Sequence, residues 1–203
     1  MMKIVLASAS PRRKMLLEQI GIIPEILPSG VEETVTKIVP EEVVKELSER
    51  KAEDVASGYG ASREDVLVIG ADTVVAAGDV ILGKPVDRTE AVKMISMLAG
   101  GTHQVCTGVT VIRMKDGKTA GRCTFAEKTY VSVYPMTREE IEAYVDSGEP
   151  MDKAGAYGIQ GRFAAYIKGI SGDYSNVVGL PVGRLYQELK KWNENAPGGN
   201  LHD

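Results

Sequence analysis

Val66-Leu67-Val68-Ile69-Gly70-Ala71-Asp72-Thr73-Val74-Val75-Ala76-Ala77 is the most hydrophobic run of the chain. A stretch this rich in β-branched residues, closed by Gly78-Asp79, reads as a buried strand that turns back into a short partner, Val80 to Leu82. One residue is out of pattern. Asp72 puts a carboxylate in the middle of the run, and a buried charge is costly unless it is paired or bound to metal. A strand-end Asp in an exposed turn, or a structural partner for Lys or Arg, would also explain it. The apolar surroundings favour a functional carboxylate, because local violations of pattern tend to mark sites.

Upstream, Lys3 to Ala7 reads as a short buried strand. Ser10-Pro11 then opens a helix, since Ser is a good N-cap and Pro suits the first turn. Leu16, Leu17 and Ile20 give that helix its buried face, and Gly21 ends it. Ile22 to Leu27 is predicted as a second strand and residues 28–39 as a loop carrying Glu32-Glu33. Pro40 starts a longer helix to Ser57, with Val43, Val44, Leu47, Ala52 and Val55 inward.

Downstream, Asp87-Arg88-Thr89-Glu90 looks like a capping box for a helix to Ala99. His103 to Arg113 and Lys118 to Tyr134 form a hairpin around Lys115-Asp116-Gly117. Thr137-Arg138-Glu139-Glu140 caps a further helix through Asp146. Ser147 to Gly161 reads as loop, Phe163 to Ile170 as strand, and Gly179-Leu180-Pro181 leads into a last helix ending near Trp192. The order predicts an α/β fold, a mixed sheet flanked by helices. It is one domain over residues 1–193, with 194–203 a flexible tail.

Bulk properties exclude some functions. The chain has 203 residues, long enough to bury a core without disulfides or metals. A net charge of −4 and no interleaved basic and aromatic face argue against nucleic acid or acidic membrane as partner. Cys106 and Cys123 lie in strand-like runs without metal spacing and read as reduced thiols. No apolar run approaches the roughly 20 residues of a membrane span, and the N-terminal one is too short for a secretory signal. The expected location is the cytoplasm.

Three further stretches could carry chemistry. In Ser8-Ala9-Ser10-Pro11-Arg12-Arg13, a strand ends in small residues immediately before a helix. Free N–H groups and the helix dipole then favour an anion, and two Arg forks match phosphate oxygens. Helix capping alone explains the same residues, and spacing does not separate the two readings. Glu32 or Glu33, beside Asp72 and a phosphate grip, could complete an oxygen-rich Mg²⁺ or Mn²⁺ site; alone they read as solvated. Lys51 sits on a helix, where surface is the ordinary place, whereas Lys84 lies in the constrained turn Gly83-Lys84-Pro85. The glycines of Asp152-Lys153-Ala154-Gly155-Ala156-Tyr157-Gly158-Ile159-Gln160-Gly161 permit close approach to a ligand, or make an ordinary surface loop. No Ser-His-Asp or Cys-His pattern and no GxxxxGK[ST] loop occurs.

Together these stretches, with Leu6-Ala7-Ser8, Gly70-Ala71-Asp72-Thr73 and Asn176-Val177-Val178-Gly179-Leu180-Pro181, resemble the Maf family of nucleoside triphosphate pyrophosphatases. The likeness runs in order from Lys3 to Trp192. It implies two lobes with a central cleft, similar to inosine triphosphate pyrophosphatases. It also implies cleavage of a nucleoside triphosphate to the monophosphate and pyrophosphate with a divalent metal, Mg or Mn, and a homodimer. Asp72 matches the family's general base, a role that sequence does not separate from metal binding. Glu33 and Asp72 match the metal site. Ser8, Arg12, Arg13, Lys51 and Lys84 match the phosphate-binding positions. Arg12, Thr73 and Gln160 match the branch that prefers dTTP and UTP over 7-methyl-GTP. The resemblance leaves open removal of modified nucleotides, a link to cell-division arrest, and a non-catalytic nucleotide-binding regulator of septum formation. Arg162-Phe163-Ala164-Ala165 departs from the more glycine-rich pattern of many relatives.

Overall fold

The computed structural model describes residues 2–194. Among them a seven-stranded mixed sheet has the order β2-β1-β3-β5-β6-β7, with β4 paired to β3 outside that path. Its strands are β1 (Lys3–Leu6), β2 (Glu25–Ile26), β3 (Val66–Ala77), β4 (Val80–Leu82), β5 (Thr102–Lys115), β6 (Lys118–Val133) and β7 (Ile167–Ser171). The helices are α1 (Pro11–Gln19), α2 (Pro40–Ser57), α3 (Arg88–Leu98), α4 (Arg138–Val145), α5 (Tyr174–Val178) and α6 (Val182–Glu194). β1 runs parallel to β2 and β3; the remaining pairs are antiparallel.

The strand predicted from Val66 to Ala77 is β3, and it is the spine of the molecule. Its period-2 alternation sends Leu67, Ile69, Ala71, Thr73 and Val75 to one face and Val66, Val68, Gly70, Asp72 and Val74 to the other. α2 covers the second face, packing Ala52, Val55 and Ala56 on Val66 and Val68, and Val43, Val44 and Leu47 on Val74 and Cys106. Two glycines let it come that close. A Cβ on Gly70 would lie 2.4 Å from the Ser48 carbonyl oxygen, and one on Gly108 would lie 2.1 Å from that of Val44.

The first face is divided. One cluster joins Leu67, Ile69, Ala71, Val109, Val111 and Phe125 to α1 and α6 through Leu16, Leu17, Leu185 and Leu189. A second joins Val75, Val105, Val131 and Val133 to α3 and α4 through Ala91, Ile95, Ile141 and Val145. Between them the same strands place Thr73, Thr107 and Thr129, so the apolar core stops and resumes. The two clusters are the two lobes; α5 covers the polar break through Asn176, bonded to Thr107 and Thr129, and the cleft opens beside Thr73. The predicted mixed α/β architecture with a central cleft is the observed one.

Several predicted elements differ. The second strand is only Glu25–Ile26, because β1 offers just Val5 and Leu6 for pairing and Ile22 turns into the core. Strand β7 begins at Ile167 rather than Phe163. Arg162–Tyr166 coils as a 3-10 turn instead, seating Phe163 among Tyr144, Tyr157 and Tyr166. The Ser147 to Gly161 loop contains two short 3-10 turns. Helix α5 was not predicted; Asp173 caps it by accepting from the Ser175 N–H at 2.7 Å. Glu90 reaches back to the Val86 N–H, one residue before the cap, so only half of the first capping box forms, whereas that of Thr137 and Glu140 is complete. The expected tail lies, from residue 195, outside the described residues. Both cysteines are free thiols, and burial pushes that of Cys106 up to about 11. Among the described residues no helix is long and apolar enough to cross a membrane.

Candidate active site

A register gap in the sheet creates the site. β1 pairs with β3 only as far as Ile69, and β4 joins β3 from Val75 onward. The edge between, Gly70 to Val74, carries Asp72 and Thr73 and is bordered by the chain leaving β1 at Ala7. A cleft of about 730 Å³ opens there, lined by all nine residues singled out in the sequence: Ser8, Arg12, Arg13, Glu33, Lys51, Asp72, Thr73, Lys84 and Gln160.

Asp72 is 9% exposed and is answered by α2. Lys51 Nζ lies 2.5 Å from Asp72 Oδ1 and 2.6 Å from Glu33 Oε1. Lys51 is therefore no surface lysine; its side chain is 13% exposed and joins two carboxylates from different segments. Its hydrogen bond holds the Glu33 carboxyl below its ordinary pKa, against partial burial. Glu32 does not line the cleft. The loop carrying Glu33 lies along α2, tied by Ser29 and Gly30 to Asp54, Thr34 to Arg50 and Thr36 to Glu46, three helix residues spaced by four.

The Ser8–Arg13 segment is both a capped helix and a cationic wall. Ser10 accepts from the Arg13 N–H at 3.5 Å, the predicted cap. Arg13 donates from Nε to the Gly179 carbonyl at 2.9 Å, from Nη1 to Ser8 Oγ at 3.0 Å and from Nη2 to Thr73 Oγ1 at 3.0 Å. Three of its five N–H groups thus hold the cleft together and two remain for a ligand. Burial lowers its pKa and the nearby Asp72 opposes this. Ser8 Oγ accepts from both Arg13 and the Ser10 N–H, so its own proton is left to donate elsewhere. Thr73 faces Arg13, on the opposite side of β3 from Asp72, and bonds Thr107 at 2.9 Å.

Arg12 spans the cleft, its Nη1 lying 3.4 Å from Asp152 Oδ2 on the other lobe. The carboxyl of Asp152 resists burial because Lys153 and Arg12 hold it ionised. Lys84 and Gln160 are exposed at the rim. The glycine-rich segment is shaped by its own neighbours. A Cβ on Gly155 would meet Val75 at 2.8 Å, one on Gly158 would meet Lys153 at 2.7 Å, and one on Gly161 would meet Glu149 at 2.0 Å. These contacts explain the glycines without a ligand. The Gly155 N–H also bonds the Gly83 carbonyl, fastening this segment to the Lys84 turn.

Sequence reasoning gave several participants no role of their own. Asn176, fully buried, donates to the Val105 carbonyl and Thr129 Oγ1, anchoring α5 across β5 and β6. His103 Nε2 and Tyr157 OH, 2.8 Å apart, form a buried pair beneath the glycine-rich segment. Burial lowers the His103 pKa to about 4 and raises that of Tyr157. Threonines in strands and a histidine starting one carry no warning in composition.

Among the described residues, no group of three or more His, Cys, Asp or Glu side chains converges as a metal site. Glu33 and Asp72 still suit a hard divalent cation, which takes one or two carboxylates and completes its shell with water and substrate phosphates. Both already reach one cationic centre, Lys51 Nζ.

The Maf family, described as "Maf-like protein", matches residues 3–192. A dTTP/UTP pyrophosphatase of Agathobacter rectalis is 59% identical over 201 residues, covering 94% of this chain and 98% of that protein. One from Lachnoclostridium phytofermentans is 50% identical over 192 residues, covering 95% and 96%. Another from Carboxydothermus hydrogenoformans is 49% identical over 191 residues, covering 94% and 99%. A solved nucleoside-triphosphatase / dITP/XTP pyrophosphatase from Mycobacterium abscessus overlaps 97% of this chain and 98% of its own, at 11% identity and a TM-score of 0.40.

Proposed function

This chain belongs to the Maf family, and from that premise we propose that it is a nucleoside triphosphate pyrophosphatase hydrolysing dTTP and UTP to the monophosphate and pyrophosphate. The observation that carries the reading is Asp72: a buried carboxylate on the open edge of β3, in one cleft with Arg12, Arg13, Lys51 and Lys84. Phosphoryl transfer needs charge neutralisation and an aligned water more than a protein nucleophile. The cleft supplies cations for the first and a carboxylate for the second.

In this mechanism the triphosphate lies between the two lobes. Ser8 donates its free O–H, and Arg12, Arg13 and Lys84 neutralise phosphate oxygens. Asp72 accepts a proton from water as the water oxygen bonds to the α-phosphorus. The bond from that phosphorus to the bridging oxygen breaks, and pyrophosphate leaves. Glu33 and Asp72 would hold a Mg²⁺ or Mn²⁺ ion, which when bound draws charge from the phosphates and the attacking water. Lys51 keeps Asp72 aimed until substrate arrives. Gln160, exposed on the rim, reads the base, and Arg12 and Thr73 share in the choice of substrate. Location in the cytoplasm, where these substrates and reduced thiols are found, belongs to the same reading.

The test is a panel of dTTP, UTP, CTP, GTP and 7-methyl-GTP with Mg²⁺ or Mn²⁺, measuring pyrophosphate. Release from dTTP and UTP, reduced at least about a thousandfold by Asp72→Asn, is expected of a lost base. No release from any of the five, or full activity in Asp72→Asn, refutes the proposal.

A further inference from the structure

Thr107 is fully buried on β5 and does not line the cleft, yet it is hydrogen-bonded to a residue that does. Proton counting gives the direction of the bonds. Thr107 Oγ1 donates to the Asn176 carbonyl at 3.1 Å. A hydroxyl has one proton, so at its 2.9 Å contact with Thr73 it must accept. Thr73 therefore donates to Thr107, and its oxygen accepts from Arg13 Nη2 at 3.0 Å. The opposite polarity would replace the 3.1 Å bond with the 3.5 Å contact from Thr73 to the Gly179 carbonyl, and would leave a buried carbonyl without a donor.

The bonds close a ring. From Arg13 it passes through Thr73 and Thr107 to the Asn176 carbonyl, then along α5 to Gly179, whose carbonyl accepts from Arg13 Nε at 2.9 Å. The Asn176 side chain fixes the far end of the ring to β5 and β6. Each hydroxyl accepts once and donates once, so the links polarise one another in the same sense.

We propose that Thr107 is a positioning residue, which aims the Arg13 guanidinium into the cleft by fixing the Thr73 hydroxyl so that its lone pair faces Arg13 Nη2. Without the Thr107 oxygen, Thr73 has one acceptor within reach, the second lone pair of the Gly179 carbonyl, 3.5 Å away. Turning its proton there turns its own lone pair as well, so Arg13 would keep its bond from Nε and lose the fixed acceptor on Nη2. It would remain a cation in the cleft, wrongly aimed. The turnover arm of the test rests on the pyrophosphatase reading; the resonance arm does not.

Thr107→Val keeps the shape and removes the hydroxyl, whereas Thr107→Ser keeps the hydroxyl. With dTTP and Mg²⁺, Thr107→Val is expected to lower kcat roughly ten- to a hundredfold while KM moves less than about threefold, as for a misaimed rather than missing group. Thr107→Ser is expected within about threefold of the parent. In the ligand-free protein, the ¹⁵N resonance of the Arg13 Nε–H should be sharp in the parent and in Thr107→Ser, and broadened by exchange in Thr107→Val. Should Thr107→Val not fold, Thr107→Cys, with only a weak S–H donor, takes its place with the same expectation. A folded variant without the hydroxyl that keeps parental kcat and a sharp Arg13 resonance overturns the proposal, as does a Thr107→Ser variant no better than Thr107→Val. A parent that releases no pyrophosphate refutes the functional reading instead, and the resonance comparison still decides the role of Thr107.

Discussion

Gly108→Ala should damage stability and turnover together, because one backbone contact serves both. Gly108 pairs with Asp72 across the sheet and faces α2. Its new Cβ would lie 2.1 Å from the Val44 carbonyl oxygen and 2.3 Å from the carbonyl carbon, where ordinary contact starts at 3.4 Å. Both partners are backbone, so no rotamer change relieves the overlap, and α2 must withdraw by about 1 Å. Overpacking of this kind costs about 1–3 kcal/mol. Taking about 3 kcal/mol for a clash between backbones, Tm should fall by roughly 6–12 °C for a chain of this length. Lys51 is on the same helix, two turns beyond Val44, and its 2.5 Å bond to Asp72 opens as the helix moves. A shift of about 1 Å at a reacting group can cost on the order of a hundredfold in rate. Thermal unfolding and pyrophosphate release, with Gly121→Ala as control, measure both effects. Gly121 has open space around it and a negative φ, so its Cβ should change Tm by less than about 2 °C. If Gly108→Ala melts within that margin of the parent and turns over dTTP at the parental rate, the close approach of α2 neither limits packing nor places Lys51.

Acid should destabilise the protein through His103. Its folded pKa of about 4 lies below the ordinary 6.5 because burial penalises the imidazolium. As pH falls, the unfolded chain binds that proton near 6.5 and the folded one not until about 4. The stabilisation, on the order of 3 kcal/mol, is whole above pH 6.5 and lost progressively down to about 4. His103→Gln should flatten this part of a Tm–pH profile; parallel profiles for parent and variant would show that another group titrates. Arg13→Lys keeps the charge, but one ammonium cannot serve Ser8, Thr73 and the Gly179 carbonyl at once. It should lower kcat/KM at least about a hundredfold and Tm by several degrees, and a fully active Arg13→Lys would mean that the fork geometry is irrelevant.

The parts of the fold visible in the sequence are those in which a local rule and the global packing agree. α2 starts at Pro40 and ends at Ser57 as predicted, because its start signal, apolar period and buried face coincide. β3 and β4 were equally plain. Asp72 was found because a charge in an apolar run has no local excuse. Where tertiary contacts override a local preference the reading fails. Phe163 to Tyr166 has strand-forming residues but coils so that Phe163 can enter an aromatic cluster. The polar seam was hidden for a different reason. Thr73, Thr107 and Thr129 are good strand formers, so a pattern of apolar and β-branched residues passes over them without interruption. Only the pairing register shows that Thr73 stands opposite Thr107, with Thr129 one diagonal step away on the same face, and only the hydrogen bonds show how the three are joined through Asn176. The same seam explains how Arg13 is held beside the site. A continuous apolar face would have left Arg13 Nη2 without its acceptor and Asn176 without its partners next to the open edge of β3. The feature that sequence could not show is the one that fixes the cation beside the carboxylate that it did show.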